Sequence, residues 1–133
     1  MNIGEVAKLT GLTAKSIRLY EEKGLILPPT RTESGYRDYG EKQIQQLTLV
    51  ARAKAAGFSL IECKEFVQLA ENPHRTSKQV KAHALEKLEE VEKKIRHLEE
   101  IRAQLKAWVV SCPGDEGSEC PIIDDLTHPT VGG

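Results

Sequence analysis

From Thr76 to Val110 the chain runs for thirty-five residues without a proline or a glycine, and no other feature narrows its possible folds as much. Within that run Ala84, Leu88, Val91, Ile95, Leu98, Leu105 and Val109 recur at alternating spacings of four and three. Arg102 interrupts the series, and neighbouring Ile101 covers for it. This spacing predicts a coiled-coil seam of about five heptads on a rod of roughly 50 Å. The rest of a 133-residue chain supplies only one small core, which cannot cover so long a stripe. The stripe needs a partner helix, and a second copy of the chain is the simplest one, which makes a homodimer the expected state. The plain alternative is a lone, solvated helix.

Upstream the residues predict a compact helical unit. Charged residues make up 29% of the chain and aromatics 5%, a balance that suits surface-rich helices better than a sandwich or barrel. Asn2 and Glu5 read as a capping box for a helix over 3–10, which Gly11 breaks. Thr13 caps a second helix to about Lys23, stopped by Gly24. Two short helices around a glycine turn make a helix-turn-helix. Pro28-Pro29 ends helical structure, and 31–37, with Gly35 at its centre, reads as a hairpin, hence a wing. A third helix over 41–56 carries Ile44, Leu47, Val50, Ala51 and Ala55 on one face. Ser59 and Glu62 open a fourth, with Cys63, Phe66, Val67 and Ala70 as its apolar stripe, and Asn72-Pro73 closes the unit.

The net charge of −1 hides an asymmetry. Residues 1–56 hold nine Lys/Arg against six Asp/Glu, and residues 57–133 hold ten against fourteen, so the halves carry +3 and −4. The basic half is the one suited to phosphate. On the second helix Thr13, Lys15, Ser16, Arg18 and Tyr20 are candidate DNA contacts; on the wing, Arg31, Tyr36 and Arg37 are. Arg and Lys engage guanine edges or phosphates, and hydroxyls suit phosphate oxygens. Each alone is equally read as a solvated surface residue; together they flank one groove.

At the other end stand Cys112 and Cys120. Each precedes a proline, which holds it extended, and Gly114 and Gly117 let the seven intervening residues close tightly. Two sulfurs converging on one point suit a soft monovalent ion: copper(I), or equally silver(I) or gold(I). Other readings stay open. Zinc completed by His74 or His128 is one, a reversible Cys112–Cys120 disulfide another, and two unrelated cysteines a third. Cys63 reads as a small core residue. The first residues have neither a basic nor an apolar targeting region, and no apolar run approaches the roughly 20 residues of a membrane span. The expected compartment is therefore the reducing cytoplasm, where thiols stay free. No nucleophile–base pair or phosphate loop suggests an enzyme.

Ile-Arg-Leu-Tyr-Glu-Glu-Lys-Gly-Leu-Ile (17–26), Arg31, Ser34-Gly35-Tyr36-Arg37-Asp38-Tyr39 and Gly57-Phe58-Ser59-Leu60 resemble the DNA-binding signature of the MerR family. Cys112-Pro-Gly-Asp and Cys120-Pro-Ile-Ile are similar to the metal loop of its copper-responsive branch. The resemblance implies a homodimer with an antiparallel coiled coil, seated with RNA polymerase on a promoter whose spacer is overlong. Metal binding would then untwist the DNA and switch on copper efflux and detoxification genes, the two cysteines holding copper(I). Residues and resemblance together divide the chain into a winged helix-turn-helix domain (1–69), a linker (70–75), a dimerisation helix (76–111) and a metal loop (112–120), and the residues alone read as an apolar turn with a flexible tail (121–133). Divalent-ion relatives carry cysteine where this chain has Ser77, which favours a monovalent ion. In an antiparallel dimer Ser77 and Lys81 of one subunit would lie by the partner's cysteine loop. There a helix N-terminus and a lysine would screen the surplus charge of two thiolates on one monovalent cation. No large ligand-binding domain follows the coiled coil, which disfavours a drug sensor.

Overall fold

The computed structural model describes residues 1–129. It is mainly α-helical and divides into two compact units, Met1–Lys87 and the residues from Leu88 onward.

In the first unit α1 (Ile3–Thr10) starts at Asn2, whose side chain accepts from the Glu5 amide at 2.9 Å while Glu5 reaches back to the Asn2 amide. α2 (Ala14–Glu22) starts at Thr13, whose hydroxyl accepts from the Ser16 amide at 3.1 Å. The hairpin is one residue longer at each end than expected. β1 (Thr30–Arg31) and β2 (Arg37–Asp38) pair antiparallel, with Thr30 opposite Asp38 and Arg31 opposite Arg37. Gly35 turns between them at φ 83°, a conformation that side chains oppose. α3 (Glu41–Ala55) and α4 (Leu60–Glu71) pack on each other, and α1 packs on both α2 and α3. Val6, Ile17, Tyr39, Leu47, Val50 and Cys63 form the centre of the core.

Some expected faces differ. Tyr20 is not on the outer face of α2 but buried at 4% exposure. It lies three residues after the fully buried Ile17, so the helical period carries it inward. Ala55 and Ala70 are exposed, whereas Leu49 and Ala53 pack against the core. Gln46 is buried, which a purely apolar pattern does not foresee. Its Oε1 accepts from the Leu27 amide at 2.9 Å and its Nε2 donates to Glu71, which Lys42 reaches at 2.6 Å. The Lys42 ammonium holds the Glu71 carboxyl below the usual range.

α5 (Ser77–Ser111) opens with Thr76, whose hydroxyl accepts from the Gln79 amide. The expected domain end at 69 falls inside α4, which runs to Glu71, and the turn lies in 72–76. The first compact unit continues to Lys87 because the opening turns of α5 are packed on α4. Phe58 meets Phe66 edge to face at 4.8 Å, Phe66 meets the His83 ring at 5.4 Å, and the nearly buried Lys87 ammonium lies 5.3 Å from the Phe58 ring. Lys87 also donates to Glu62 Oε1 at 2.9 Å. The same carboxylate accepts from the Ser59 amide at 2.8 Å. That backbone bond, with the lysine second, lowers the Glu62 pKa from 4.5 to about 2. A carboxylate depressed on folding contributes stability above its unfolded pKa and loses it as pH falls through the folded value. Glu62→Gln is therefore expected to lower the melting temperature at pH 7 and to flatten the loss of stability between pH 4.5 and about 2, read by thermal unfolding across that range.

In the second unit the seam of α5 is open to solvent. Leu88, Ile95, Leu98, Ile101, Leu105 and Val109 are 40–72% exposed. α6 (Pro121–Thr127) is the expected apolar turn; Ile122 is half-buried, while Ile123 and Leu126 remain exposed. Of the expected flexible tail, residues 130–133 lie outside the described residues.

Candidate DNA interface and metal loop

α2 and the hairpin present one surface. Arg18 from α2 and Arg31, Tyr36 and Arg37 from the wing line a single groove together with Asn2 and Ile3. Tyr36 stands out at 74% exposure, and Arg31 donates to the Gly35 carbonyl at 3.0 Å. Thr13 and Ser16 are joined at the start of α2, where the Thr13 hydroxyl donates to Ser16 Oγ at 2.9 Å. Lys15 is exposed on α2 but does not line the groove. Tyr20 belongs to the core and leaves the set of surface candidates.

The wing is fastened to α2. Arg37 Nε donates to Glu21 Oε2 at 2.8 Å, with both side chains largely withdrawn from solvent. Tyr39 donates to the same oxygen at 3.5 Å. Burial pushes the Tyr39 hydroxyl up, and the Glu21 carboxylate adds to this, so Tyr39 stays a neutral donor. The Tyr39 amide also donates to the Met1 carbonyl at 2.8 Å, tying the end of the hairpin to the start of α1. Arg37 is thus half structural, a role that its surface position in the sequence did not announce.

The two loop cysteines are half-buried, free thiols. Cys112 follows the end of α5, its amide donating to the Trp108 carbonyl at 3.0 Å. Cys120 caps α6, its carbonyl accepting from the Asp124 amide at 3.0 Å, with Pro121 at the first helical position. Between them Gly114 adopts φ 65°, and the Asp115 side chain accepts from the Gly117 amide at 2.8 Å. Trp108 Nε1 donates to Asp125 Oδ2 at 2.7 Å. No periodicity links residues seventeen apart across a loop, so this bond was invisible in the sequence. Cys63 is fully buried, and burial pushes its thiol up, as an inert core residue requires. Two soft sulfurs on a short loop are a donor set that fits a soft monovalent ion.

The chain matches the MerR HTH family regulatory protein over residues 1–70 and the MerR, DNA binding, family over residues 44–108. It is 57% identical to the HTH-type transcriptional regulator CueR of Vibrio cholerae serotype O1 over 126 residues, covering 95% of this chain and 91% of that one. The chain belongs to the MerR family. Among MerR regulators it stands with the CueR branch, and it is a DNA-binding transcription regulator of helix-turn-helix type. Two solved transcription regulators share its fold. The regulator PbrR691 of Ralstonia metallidurans CH34 in complex with lead(II) aligns with TM-score 0.80 at 28% identity, covering 95% of this chain and 98% of that one. MerR of Bacillus megaterium MB1 in complex with mercury(II) aligns with TM-score 0.73 at 28% identity, covering 96% and 100%. Among the described residues no helix is long and apolar enough to cross a membrane.

Proposed function

We propose that this MerR regulator is a cytoplasmic, copper(I)-responsive transcription activator that binds promoter DNA as a homodimer. The observation that carries this reading is the pair of free, half-buried thiols on one short loop. Residues 1–69 bind the operator through Arg18, Arg31, Tyr36 and Arg37, with Thr13, Lys15 and Ser16 at or near the phosphates. Residues 76–111 form the dimer, and Cys112 and Cys120 in 112–120 hold the ion. Silver(I) and gold(I) satisfy the same two sulfurs. Similarity to CueR of Vibrio cholerae and to metal-bound PbrR691 and MerR supports the metal-sensing part.

Cys112 and Cys120 would hold the ion, and its binding would supply the free-energy difference that shifts the dimer between its two states. The residues of the chain do the rest. The groove of α2 and the wing grips each half-site, and the coiled coil fixes the distance between half-sites. Bending a short duplex costs about 1–6 kcal/mol, so the two states of the dimer must differ by a comparable amount. Distorting an overlong spacer in this way lets RNA polymerase engage both promoter elements and express efflux and detoxification genes. Ser77 and Lys81 lie one turn apart at the capped start of α5, both exposed. In an antiparallel dimer they screen the anionic thiolate site of the partner.

Run-off transcription on an overlong-spacer promoter, at buffered free copper(I), silver(I) and zinc(II), tests this reading. Strong activation by the monovalent ions and little by zinc is expected, with Lys81→Glu weakening activation but not metal-free operator binding. An equal response to zinc makes the protein a divalent-ion sensor. A response to oxidant, with thiol titration showing a Cys112–Cys120 disulfide, makes it a redox regulator.

A further inference from the structure

Trp108 is the only tryptophan of the chain, and it touches both ends of the cysteine loop. Its carbonyl accepts from the Cys112 amide at 3.0 Å. Its indole donates at 2.7 Å to Asp125 Oδ2, in the helix whose cap is Cys120. The indole N–H can only donate and the carboxylate only accept, so this short, charge-assisted bond has one arrangement. α6 has seven residues, too few to hold a helix in water by its own backbone. An anchor outside α6 must keep it formed and in place, and the bond to Trp108 is such an anchor.

We propose that Trp108 and Asp125 form a latch that pre-sets the separation of the Cys112 and Cys120 sulfurs before any ion arrives, Trp108 being a positioning residue. The latch rests on the reading of the loop as a metal site only for its purpose; its geometry is independent of that reading. Without it the seven residues between the cysteines sample wider separations, and an ion must first order them, which lowers affinity.

The latch is tested on the full-length, metal-free protein with dibromobimane, a reagent that fluoresces when it bridges two nearby thiols. Trp108→Phe keeps the ring and loses the donor; Asp125→Ala loses the acceptor; Asp125→Asn keeps an acceptor oxygen. Bridging of Cys112 to Cys120 is expected to slow about fivefold in Trp108→Phe and in Asp125→Ala, as loss of one solvent-accessible hydrogen bond implies. Asp125→Asn, which keeps a neutral acceptor and loses the charge assistance, should fall between the parent and Asp125→Ala. The double variant should be no slower than either single one, because both remove the same bond. Silver(I) affinity, from competition with a chelator, should fall in the same order. Parent-like bridging in both single variants, or additive losses in the double, overturns the latch even if silver binds tightly. The expected bridging order in a protein that binds no silver at all leaves the latch standing and removes the metal reading instead.

Discussion

Replacing Cys112 or Cys120 with serine is expected to abolish metal-dependent transcription while leaving operator binding intact. Loss of a group that merely supports a metal ligand costs roughly 10–100-fold in affinity. On the proposed site, loss of one of two ligands would go well beyond that, because a hydroxyl is a hard, neutral donor that a soft monovalent ion does not favour. Each single variant should therefore fail as completely as the double, a pattern that distinguishes a shared ion from two separate thiol functions. The groove lined by Arg18, Arg31, Tyr36 and Arg37 lies in the other compact unit, and none of its lining residues belongs to the loop. Gel-shift titration without metal should give parent affinity, and run-off transcription with copper(I) should stay at the metal-free level. Full activation in the double serine variant would dismiss the loop as the sensor.

Aspartate at both Leu98 and Leu105 is expected to leave the protein monomeric and to remove specific operator binding. The two leucines are 61% and 51% exposed in the single chain, and with Ile101 and Val109 they line one apolar trough. A leucine fully withdrawn from water contributes about 1.5–3 kcal/mol. In a symmetric dimer each substitution acts twice, and the buried carboxylates have nothing apolar to replace them. On the proposed dimeric reading a monomer would hold one half-site, and losing the second would return the affinity toward the non-specific level, a drop of about a thousandfold or more. Sedimentation should show a single chain, helical content should persist in the winged unit, and gel shift should show no retained operator complex. A dimer of parent stability would move the interface elsewhere.

The elements were legible where local chemistry repeats. Asn2/Glu5, Thr13 and Ser59/Glu62 mark helix starts within a residue, because a cap is a short-range hydrogen bond written in neighbouring positions. The long helix declared itself by its period and its lack of breakers. The candidate residues of the groove and the loop could be named from the sequence, but their cross-links could not. Arg37–Glu21, Lys87–Glu62 and Trp108–Asp125 join positions sixteen, twenty-five and seventeen apart, separations that no helical or strand period encodes. Tyr20 was misplaced for a related reason. A tyrosine beside lysine and arginine suggests a surface residue, and only its phase with Ile17 reveals that it points inward.

The bond between Arg37 and Glu21 has a consequence for how operators can change. A hairpin riveted to α2 works as one stamp rather than as two independent fingers. With α2 on the bases and the wing on the phosphates, as proposed, a base change that tilts the stamp would also lift the wing. Preferences at the two patches of each half-site should therefore drift together, and regulators of this kind should tolerate paired alterations in their operators better than the same alterations made singly.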